Sequence, residues 1–163
     1  MKNSIHVKYQ NKTIVFSVSG WLNVSHIAEL YSVSHDIWLR SPDTQEYLAD
    51  AALALGVEDT QELTQIKADG TWLHPKVASE FVREIDRKLA RWCDLTIDRI
   101  SRDNSSLRKR YDAVCKVFDE RQRGASEHGR GLRNWRDDKE DLLCQMAYLQ
   151  DQIQLNLELD NPN

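Results

Sequence analysis

The sequence predicts an α+β domain over residues 1–100 and an α-helical tail over residues 101–163. This prediction depends on three observations. Four short segments rich in β-branched or aromatic residues lie in pairs around tight turns, which indicates antiparallel hairpins. Between and after these pairs, apolar residues recur at helical spacing. Beyond residue 100 the periodicity is helical throughout, so the chain divides into a mixed domain and a helical tail.

The composition describes a folded chain that is large enough for one well-buried domain and an appendage. Of its 163 residues, 40% are hydrophobic and 29% are charged. No stretch of about 18 apolar residues could cross a membrane, and the N-terminus lacks the apolar segment of a signal peptide. We therefore expect a cytoplasmic protein without a membrane partner.

The three cysteines, Cys93, Cys115 and Cys144, lie more than 20 residues apart. Zinc sites and disulfide frameworks place cysteines in close pairs or in even numbers. The spacing therefore predicts free, buried thiols. The chain also lacks the short motifs of hydrolases, nucleotide-binding enzymes and zinc proteases. We expect a binding protein without catalytic activity, metal or cofactor.

The first predicted elements are an N-terminal β-hairpin and a short helix. Residues 5–9 and 13–18 have the composition of strands with a short turn between them, and Gly20 ends the second strand. Ser25 is expected to cap the helix that follows. The apolar face of this helix has the spacing i, i+3 and i+4: Ile27, Leu30 and Tyr31.

The next predicted helix has a clear start and a clear end. Asp43 is the expected N-cap, because Glu46 follows it at capping-box spacing. Gly56 suits a left-handed stop. Because Pro42 disfavours a helical residue before it, residues 37–40 form at most a separate turn. The apolar face of the helix contains Tyr47, Leu48, Ala51, Ala52 and Leu55.

A second hairpin is predicted over residues 63–73. The dipeptide Asp69-Gly70 is a strong two-residue hairpin signal, and a turn at that position would align Lys67 with Trp72 across the ribbon. The strands, the short helices and this hairpin, followed by a long core helix, indicate a winged-helix-like module.

The core helix is expected to begin at Pro75, which fits the first helical turn, and to run to about Trp92. Its apolar stripe contains Val77, Ala78, Phe81, Val82, Ile85, Leu89 and Trp92. Arginines recur every four residues on its polar side: Arg83, Arg87 and Arg91. These arginines either line a strip that faces phosphate groups or form a solvated face paired with Glu80 and Glu84.

The tail is predicted to contain two helices. The first carries an amphipathic row of Leu107, Tyr111, Val114 and Phe118. Three glycines between Gly124 and Gly131 are expected to break it. The last helix carries Leu132, Trp135, Leu142, Met146, Leu149 and Ile153. An imperfect heptad of this kind fits a helical hairpin or a short coiled coil equally well. Because the seam needs a covering partner, we expect the tail to drive homodimer formation.

Two motifs in the first domain resemble the KilA-N domain family. The segment GWLNVS at Gly20–Ser25 is similar to the glycine-aromatic-aliphatic-Asn-x-Thr/Ser start of that domain. The segment GTWLHP at Gly70–Pro75 closely resembles its glycine-threonine-tryptophan-valine-histidine-proline signature. Shorter similarities occur at 38–40, 44–48 and 91–93, so the resemblance covers roughly residues 14–100.

The resemblance implies a winged-helix-like domain, similar to APSES-type DNA-binding domains, that occurs in bacteriophages and large DNA viruses. It implies a DNA-binding regulator or antagonist of phage or prophage origin in a bacterial host. The motif residues are interpreted as scaffold rather than as contacts with DNA: Gly20, Asn23, Gly70, Thr71, Trp72, His74 and Pro75.

Placement within such a domain identifies candidates for DNA contact at Arg40, Thr44, Gln45 and Lys67. Residues 101–136 contain ten basic and five acidic residues. Five arginines of this region surround the glycine-rich segment: Arg121, Arg123, Arg130, Arg133 and Arg136. They either follow a phosphate backbone without sequence preference or belong to a hydrated turn.

The segment Asp43–Glu62 supports a rival hypothesis, because it contains six acids and no Lys or Arg. A helix that enters the major groove normally brings Arg, Lys, Asn or Gln to the bases. An acidic surface on the same scaffold could instead bind a host protein complex, such as a defence system, and inhibit it. The acidic end of the chain from Asp137 could contribute to that contact.

Overall fold

The computed structural model describes residues 4–102, 105–127 and 131–159, which form two compact units: one ends at Ser101 and the other starts at Arg102. In chain order the elements are β1 (Ser4–Tyr9), β2 (Lys12–Ser17), β3 (Leu22–Asn23), α1 (Val24–Tyr31), α2 (His35–Arg40), α3 (Pro42–Leu55), a 3-10 helix (Thr60–Leu63), β4 (Thr64–Lys67), β5 (Gly70–Leu73), α4 (Ala78–Ile85), α5 (Arg87–Arg102), α6 (Ser105–Glu127) and α7 (Gly131–Leu159). None of the helices in the described ranges has the length and apolarity needed to cross a membrane.

The strands of the first unit form one antiparallel sheet in the order β1-β2-β3-β5-β4. Strand β3 has only two residues, yet it joins the two hairpins: Leu22 pairs with Phe16 of β2, and Asn23 pairs with Trp72 of β5. The core against this sheet is aliphatic and aromatic, with fully buried Ile5, Ile14, Phe16, Leu22, Ile27, Leu73 and Leu89. The predicted α+β fold class, with a helical region after it, is confirmed.

Helix α1 starts from a different cap than the sequence predicted. Its N-cap is Asn23, whose Oδ1 accepts the backbone N–H of His26 at 3.0 Å. Ser25 is not the cap, because it is already the second helical residue. Asn and Ser are comparable N-caps. The choice follows from the sheet, since β3 ends at Asn23 and the helix begins at the next residue.

Helices α2 and α3 also differ from the prediction at their starts. Residues 37–40 are more than a turn and belong to the six-residue helix α2. Pro42 is the first residue of α3, where its missing N–H costs nothing. The N-cap is therefore Ser41, with the extended backbone expected before proline, and not Asp43. Gly56 does end α3 in the left-handed conformation, at φ 70°.

The β4–β5 hairpin turns one residue earlier than predicted. Lys67 pairs with Gly70 and not with Trp72, so the two turn residues are 68–69. Trp72 Nε1 donates a hydrogen bond to Asp69 Oδ1 at 3.0 Å. This bond holds the aspartate in the turn and leaves the glycine as the first residue of β5.

The predicted single core helix is two helices. Asp86 ends α4 with extended backbone (φ −153°, ψ 118°). Its Oδ1 accepts the backbone N–H groups of Lys88 at 2.7 Å and Leu89 at 3.3 Å. Because Asp is a strong N-cap, the residue that terminates α4 also starts α5. Of the predicted apolar stripe, Val77, Ala78, Phe81, Val82 and Leu89 are buried, whereas Ile85 and Trp92 are half-buried. Three residues that the stripe did not include are also buried in α5: Ala90, Cys93 and Ile97.

The second unit is a helical hairpin in which α6 and α7 pack side by side. The rings of Phe118 and Trp135 meet edge to face at 5.0 Å. The predicted seam of α7 is buried at Leu142, Met146, Leu149 and Ile153. Gly124 does not break the helix, because it lies inside α6. A single glycine costs only about 1 kcal/mol relative to alanine, and packing against a neighbouring helix offsets that cost.

The three cysteines are free, but they differ in burial. Cys93 is fully buried, and this burial raises the pKa of its thiol to about 12. Cys115 is half-buried and Cys144 is exposed. The expectation of buried thiols therefore holds for Cys93 and is wrong for Cys144, which lies on the solvent side of α7.

Candidate nucleic-acid interface

The β4–β5 hairpin is fastened to α1 by two hydrogen bonds and one close contact. Ser25 Oγ accepts the backbone N–H of Thr71 at 2.8 Å. Asn23 Nδ2 donates to the backbone oxygen of Asp69 at 3.1 Å. Gly70 has φ 124°, and a Cβ added there would lie 2.8 Å from Ser25 Cβ. The motif residues on both sides of this contact therefore act as a scaffold that positions the hairpin.

The remaining motif residues brace the chain after β5. Trp72 is only 2% exposed. His74 Nδ1 accepts the backbone N–H of Lys76 at 3.2 Å. Partial burial lowers the pKa of His74, and the Lys76 charge lowers it further. A Cβ on Gly20, where φ is 83°, would touch the Pro75 ring at 3.5 Å. These contacts agree with the interpretation of the motif as local geometry.

The tip of the β4–β5 hairpin presents one cation, Lys67. Its side chain is exposed, and its Nζ lies 5.1 Å from the centroid of the Trp72 ring. The neighbouring Ile66 is 86% exposed. The hairpin can therefore place one positive charge and one aliphatic side chain against a partner, as a wing would.

The other domain candidates lie where α2 meets α3. Arg40 is exposed at the end of α2. Gln45 is exposed as well, but its Nε2 donates to the backbone oxygen of Leu39 at 2.5 Å. Thr44 was wrongly predicted as a DNA contact: it faces the interior of the unit and is 5% exposed. The structure thus brings Arg40 and Gln45 together, whereas Lys67 lies on the separate hairpin.

The outer face of α3 is acidic. Asp43, Glu46 and Asp50 are exposed and follow one another at three- and four-residue spacing, and Leu53, which is 83% exposed, continues the row. The sequence has no Lys or Arg between residues 41 and 66. This face would repel a phosphate backbone, so it is unsuited to lie against DNA.

A cleft of about 680 Å³ lies between α1, α2 and the hairpin tip. Its walls carry the carboxylates of Glu29, Asp36 and Asp69 together with His35, and the described lining has no Lys or Arg. The cleft is thus also unsuited to phosphate. Across the part of the chain that the structure describes, no three His, Cys, Asp or Glu side chains are grouped to hold a metal ion.

Helix α5 carries a group of cations that sequence analysis identified only in part. We call this group the α5 basic face and define it as Arg87, Lys88, Arg91 and Arg99. The sequence placed Arg83 with two of these residues. The break at Asp86 instead separates Arg83, whose Nη1 pairs with Glu80 Oε2 at 2.5 Å. Arg99 was missed because the core helix was predicted to end at about Trp92, whereas α5 runs to Arg102. The signal was the spacing of residues 88, 91 and 99, which places them on one side of a helix.

The tail arginines differ in how they are engaged. Arg121 Nη1 forms an ion pair with Asp138 Oδ2 at 2.5 Å, which ties α6 to α7. Arg123 is exposed, and its Nε donates to the Asp119 backbone oxygen at 3.4 Å. Arg136 is exposed. Arg130 lies outside the described residues, as does the side chain of Arg133. Of the described arginines, 123 and 136 have the more accessible charges.

Comparisons with known proteins cover both units. Residues 5–103, 99 of the 163 residues, match the family model of the KilA-N domain. Residues 106–158 match the model of the ORF11CD3 domain, which sequence analysis did not identify. No curated protein and no solved structure matches the chain. The tail is therefore similar to a domain family distinct from that of the first unit.

Proposed function

Because the chain belongs to the KilA-N domain family, we propose that it is a DNA-binding protein of the phage or prophage type, acting as a regulator or antagonist in the cytoplasm of a bacterial host. The match over residues 5–103 carries this proposal, since the KilA-N domain is associated with DNA binding. The proposed role is binding without catalysis.

The β4–β5 hairpin supports DNA contact, because it is held rigidly and projects an exposed cation. Lys67 would meet a phosphate oxygen, while Arg40 at the end of α2 offers a second charge. Gln45 could read a base edge only after its bond to the Leu39 oxygen is released. Arg123 and Arg136 of the tail would add attraction that does not depend on sequence.

The proposal is tested by titrating the full-length protein with a random-sequence duplex at rising salt concentration. We expect measurable binding at about 50 mM salt and a steep loss of affinity with salt, because each neutralised phosphate releases counterions. Substituting Arg40→Gln and Lys67→Gln together should weaken binding. The double variant Lys76→Gln/Arg83→Gln removes the same charge and should bind as the wild type does. Absence of any binding at low salt would overturn the proposal.

We further propose that the tail forms a homodimer. Two helices alone leave parts of their surfaces uncovered: on α7, Tyr148 is 61% exposed and Leu155, seven residues later, is 48% exposed on the same face. A second hairpin packed against this face would complete a four-helix arrangement. Light scattering should give the mass of a dimer, and Tyr148→Glu/Leu155→Glu should give a monomer. A monomeric wild-type chain would contradict this.

The acidic face of α3 favours a second candidate function, inhibition of a host protein complex. Leu53 adds an exposed apolar side chain to the row of acids, and protein interfaces commonly combine an apolar centre with charged surroundings. This candidate gains support if the duplex titration shows no binding. Substituting Leu53→Ser should then reduce capture of the host partner from nuclease-treated lysate, whereas retained capture would argue against this face.

A further inference from the structure

We propose that the α5 basic face is a DNA-backbone contact surface, separate from the β4–β5 hairpin. This inference rests on the proposed function and names a further binding site for the same partner. Its members are exposed or, for Arg99, half-exposed: Arg87, Lys88, Arg91 and Arg99. Of the four residues, only Arg91 lies in a segment that resembles the KilA-N family, and none lies in the two main motifs, so the surface as a whole does not follow from the KilA-N signature.

The spacing of these residues places them along one side of α5. At about 100° per residue, Lys88, Arg91 and Arg99 fall within roughly 80° of one another, and Arg87 lies about 40° beyond Arg91. With a rise of 1.5 Å per residue, the row spans about 17 Å from Lys88 to Arg99. That length suffices for contacts with several phosphates of one duplex.

In the part of the chain that the structure describes, no ion pair engages the α5 basic face. Within the described residues, no carboxylate lies within 4.0 Å of the charged groups of Arg87, Lys88, Arg91 or Arg99. Two acids are adjacent in sequence to members of the group. The Oδ1 of Asp86, next to Arg87, is committed to capping the helix, and Asp98, next to Arg99, is exposed and is itself engaged in an interaction. The carboxylate of Asp94 acts on Tyr47 and Cys93, which places it toward α3 and the core.

The start of α5 combines two of these cations with one capping carboxylate, that of Asp86. Its first turn contains Arg87 and Lys88 and no acidic residue. The N-terminal end of a helix carries partial positive charge, so acids are favoured there and cations are disfavoured. A bound phosphate would therefore interact with the side chains of Arg87 and Lys88 and not with the helix end, since Asp86 already accepts the N–H groups of Lys88 and Leu89.

The β1–β2 turn borders the same surface. The rings of Tyr9 and Trp92 meet at 5.0 Å, which holds the turn beside the residue that follows Arg91. Gln10 and Asn11 are exposed in that turn. Their amide groups are uncharged donors of the type that often accompany Arg and Lys in phosphate contacts. The cations thus have polar neighbours contributed by another element.

The composition of this surface favours a nucleic-acid backbone over an acidic protein. A specific protein interface normally has a buried apolar centre, and the only large apolar side chain within the row is Leu95, which is 51% exposed. Backbone contact needs several cations at phosphate spacing and no apolar centre. The α5 basic face fits the second description.

The test compares two double variants of the full-length protein in titrations of a random-sequence duplex. Lys88→Gln/Arg91→Gln removes two members of the surface, and Lys76→Gln/Arg83→Gln removes two exposed cations outside it. We expect the first variant to reduce the slope of log K against log salt by about 2, since each phosphate contact contributes about 0.9, and to lower affinity at least tenfold. The second variant should leave the slope unchanged.

The outcomes separate this inference from the proposed function. If the wild type binds DNA and Lys88→Gln/Arg91→Gln keeps its slope, the α5 surface is rejected while DNA binding stands. If the wild type does not bind, the proposed function fails. A wild type that binds an acidic protein more tightly than duplex would also overturn the inference.

Thermal stability gives a readout that does not depend on DNA. Arg87→Gln/Lys88→Gln should leave the midpoint of thermal unfolding within about 2 °C of the wild-type value, because both side chains are exposed and neither forms an ion pair among the described residues. The same variant should bind duplex more weakly. A clear decrease in the midpoint of thermal unfolding would show that Arg87 and Lys88 stabilise the fold. That result would count against their assignment to a DNA-binding surface.

Discussion

Ser25 and Thr71 are 46 positions apart in sequence, yet Ser25 Oγ accepts the backbone N–H of Thr71 at 2.8 Å. This bond joins the two sequence motifs directly, since Ser25 ends the first and Thr71 belongs to the second. The serine, expected to cap its own helix, instead anchors the hairpin. The relationship explains why both motifs occur together in a chain whose hairpin must be held in one orientation.

Replacing this acceptor should destabilise the first unit. Ser25→Ala leaves the N–H of the largely buried Thr71 without its partner, which should lower the free energy of unfolding by about 1–3 kcal/mol. Urea denaturation measures this loss. Ser79→Ala in α4 is the matched control and should change stability by less than about 0.5 kcal/mol. An equal effect of both variants would show that the bond contributes nothing.

Substituting Gly70→Ala should be more damaging than the same change at Gly56. At Gly70, alanine would have to adopt φ 124° and place its Cβ 2.8 Å from Ser25 Cβ. We expect a loss of about 3 kcal/mol from strain and overlap together. At Gly56 the φ is 70° and nothing lies within 4 Å, so the expected loss is about 1 kcal/mol. Similar unfolding midpoints for the two variants would contradict this order.

Gly124→Ala should stabilise the tail. The glycine lies within α6, and a Cβ there meets nothing within 4 Å. Alanine should therefore raise the free energy of unfolding by about 0.5–1 kcal/mol. The reverse change at an exposed position of the same helix, Ala113→Gly, should lower it by a similar amount. If Gly124→Ala destabilised the tail, the result would argue against a helical conformation at this residue and in favour of the helix break that the sequence predicted.

The stability of the first unit should decrease as the pH is lowered, and His74 should account for part of this decrease. Burial and Lys76 hold the pKa of His74 below the value of 6.5 that it has when unfolded. Between the two values the unfolded chain binds more protons, so stability is retained above pH 6.5 and is lost as the pH falls through the folded pKa. Protonation also removes the Nδ1 acceptor of the Lys76 N–H. In urea denaturation at pH 7.5 and 5.5, His74→Asn should lose less stability than the wild type.

The DNA candidates show how far local sequence can identify a site. Exposure of Arg40 and Lys67 was predictable, because each lies at the end of an element. The burial of Thr44 was not, since it depends on which face of α3 packs inward. The α5 basic face excludes Arg83 because a new helix starts after Asp86. This start changes the angular position of every later cation relative to Arg83. Sequence periodicity measured across that break combined Arg83 with residues it does not accompany.

The sequence by itself determined the α+β class, the presence of both hairpins, the left-handed stop at Gly56 and the family of the first unit. These depend on short-range patterns: β-branched runs, turn residues and a six-residue motif. Only the tertiary structure decided that Asn23 caps α1, that Ser25 holds Thr71, that Asp86 divides the core helix and that Gly124 stays helical. The cap at Asn23 and the Ser25–Thr71 bond depend on strands that are distant in sequence, and the helical Gly124 depends on packing against α7. At Asp86 the reason is a competition between local hydrogen bonds, since its side chain caps α5 where one continuous helix was also open to the chain.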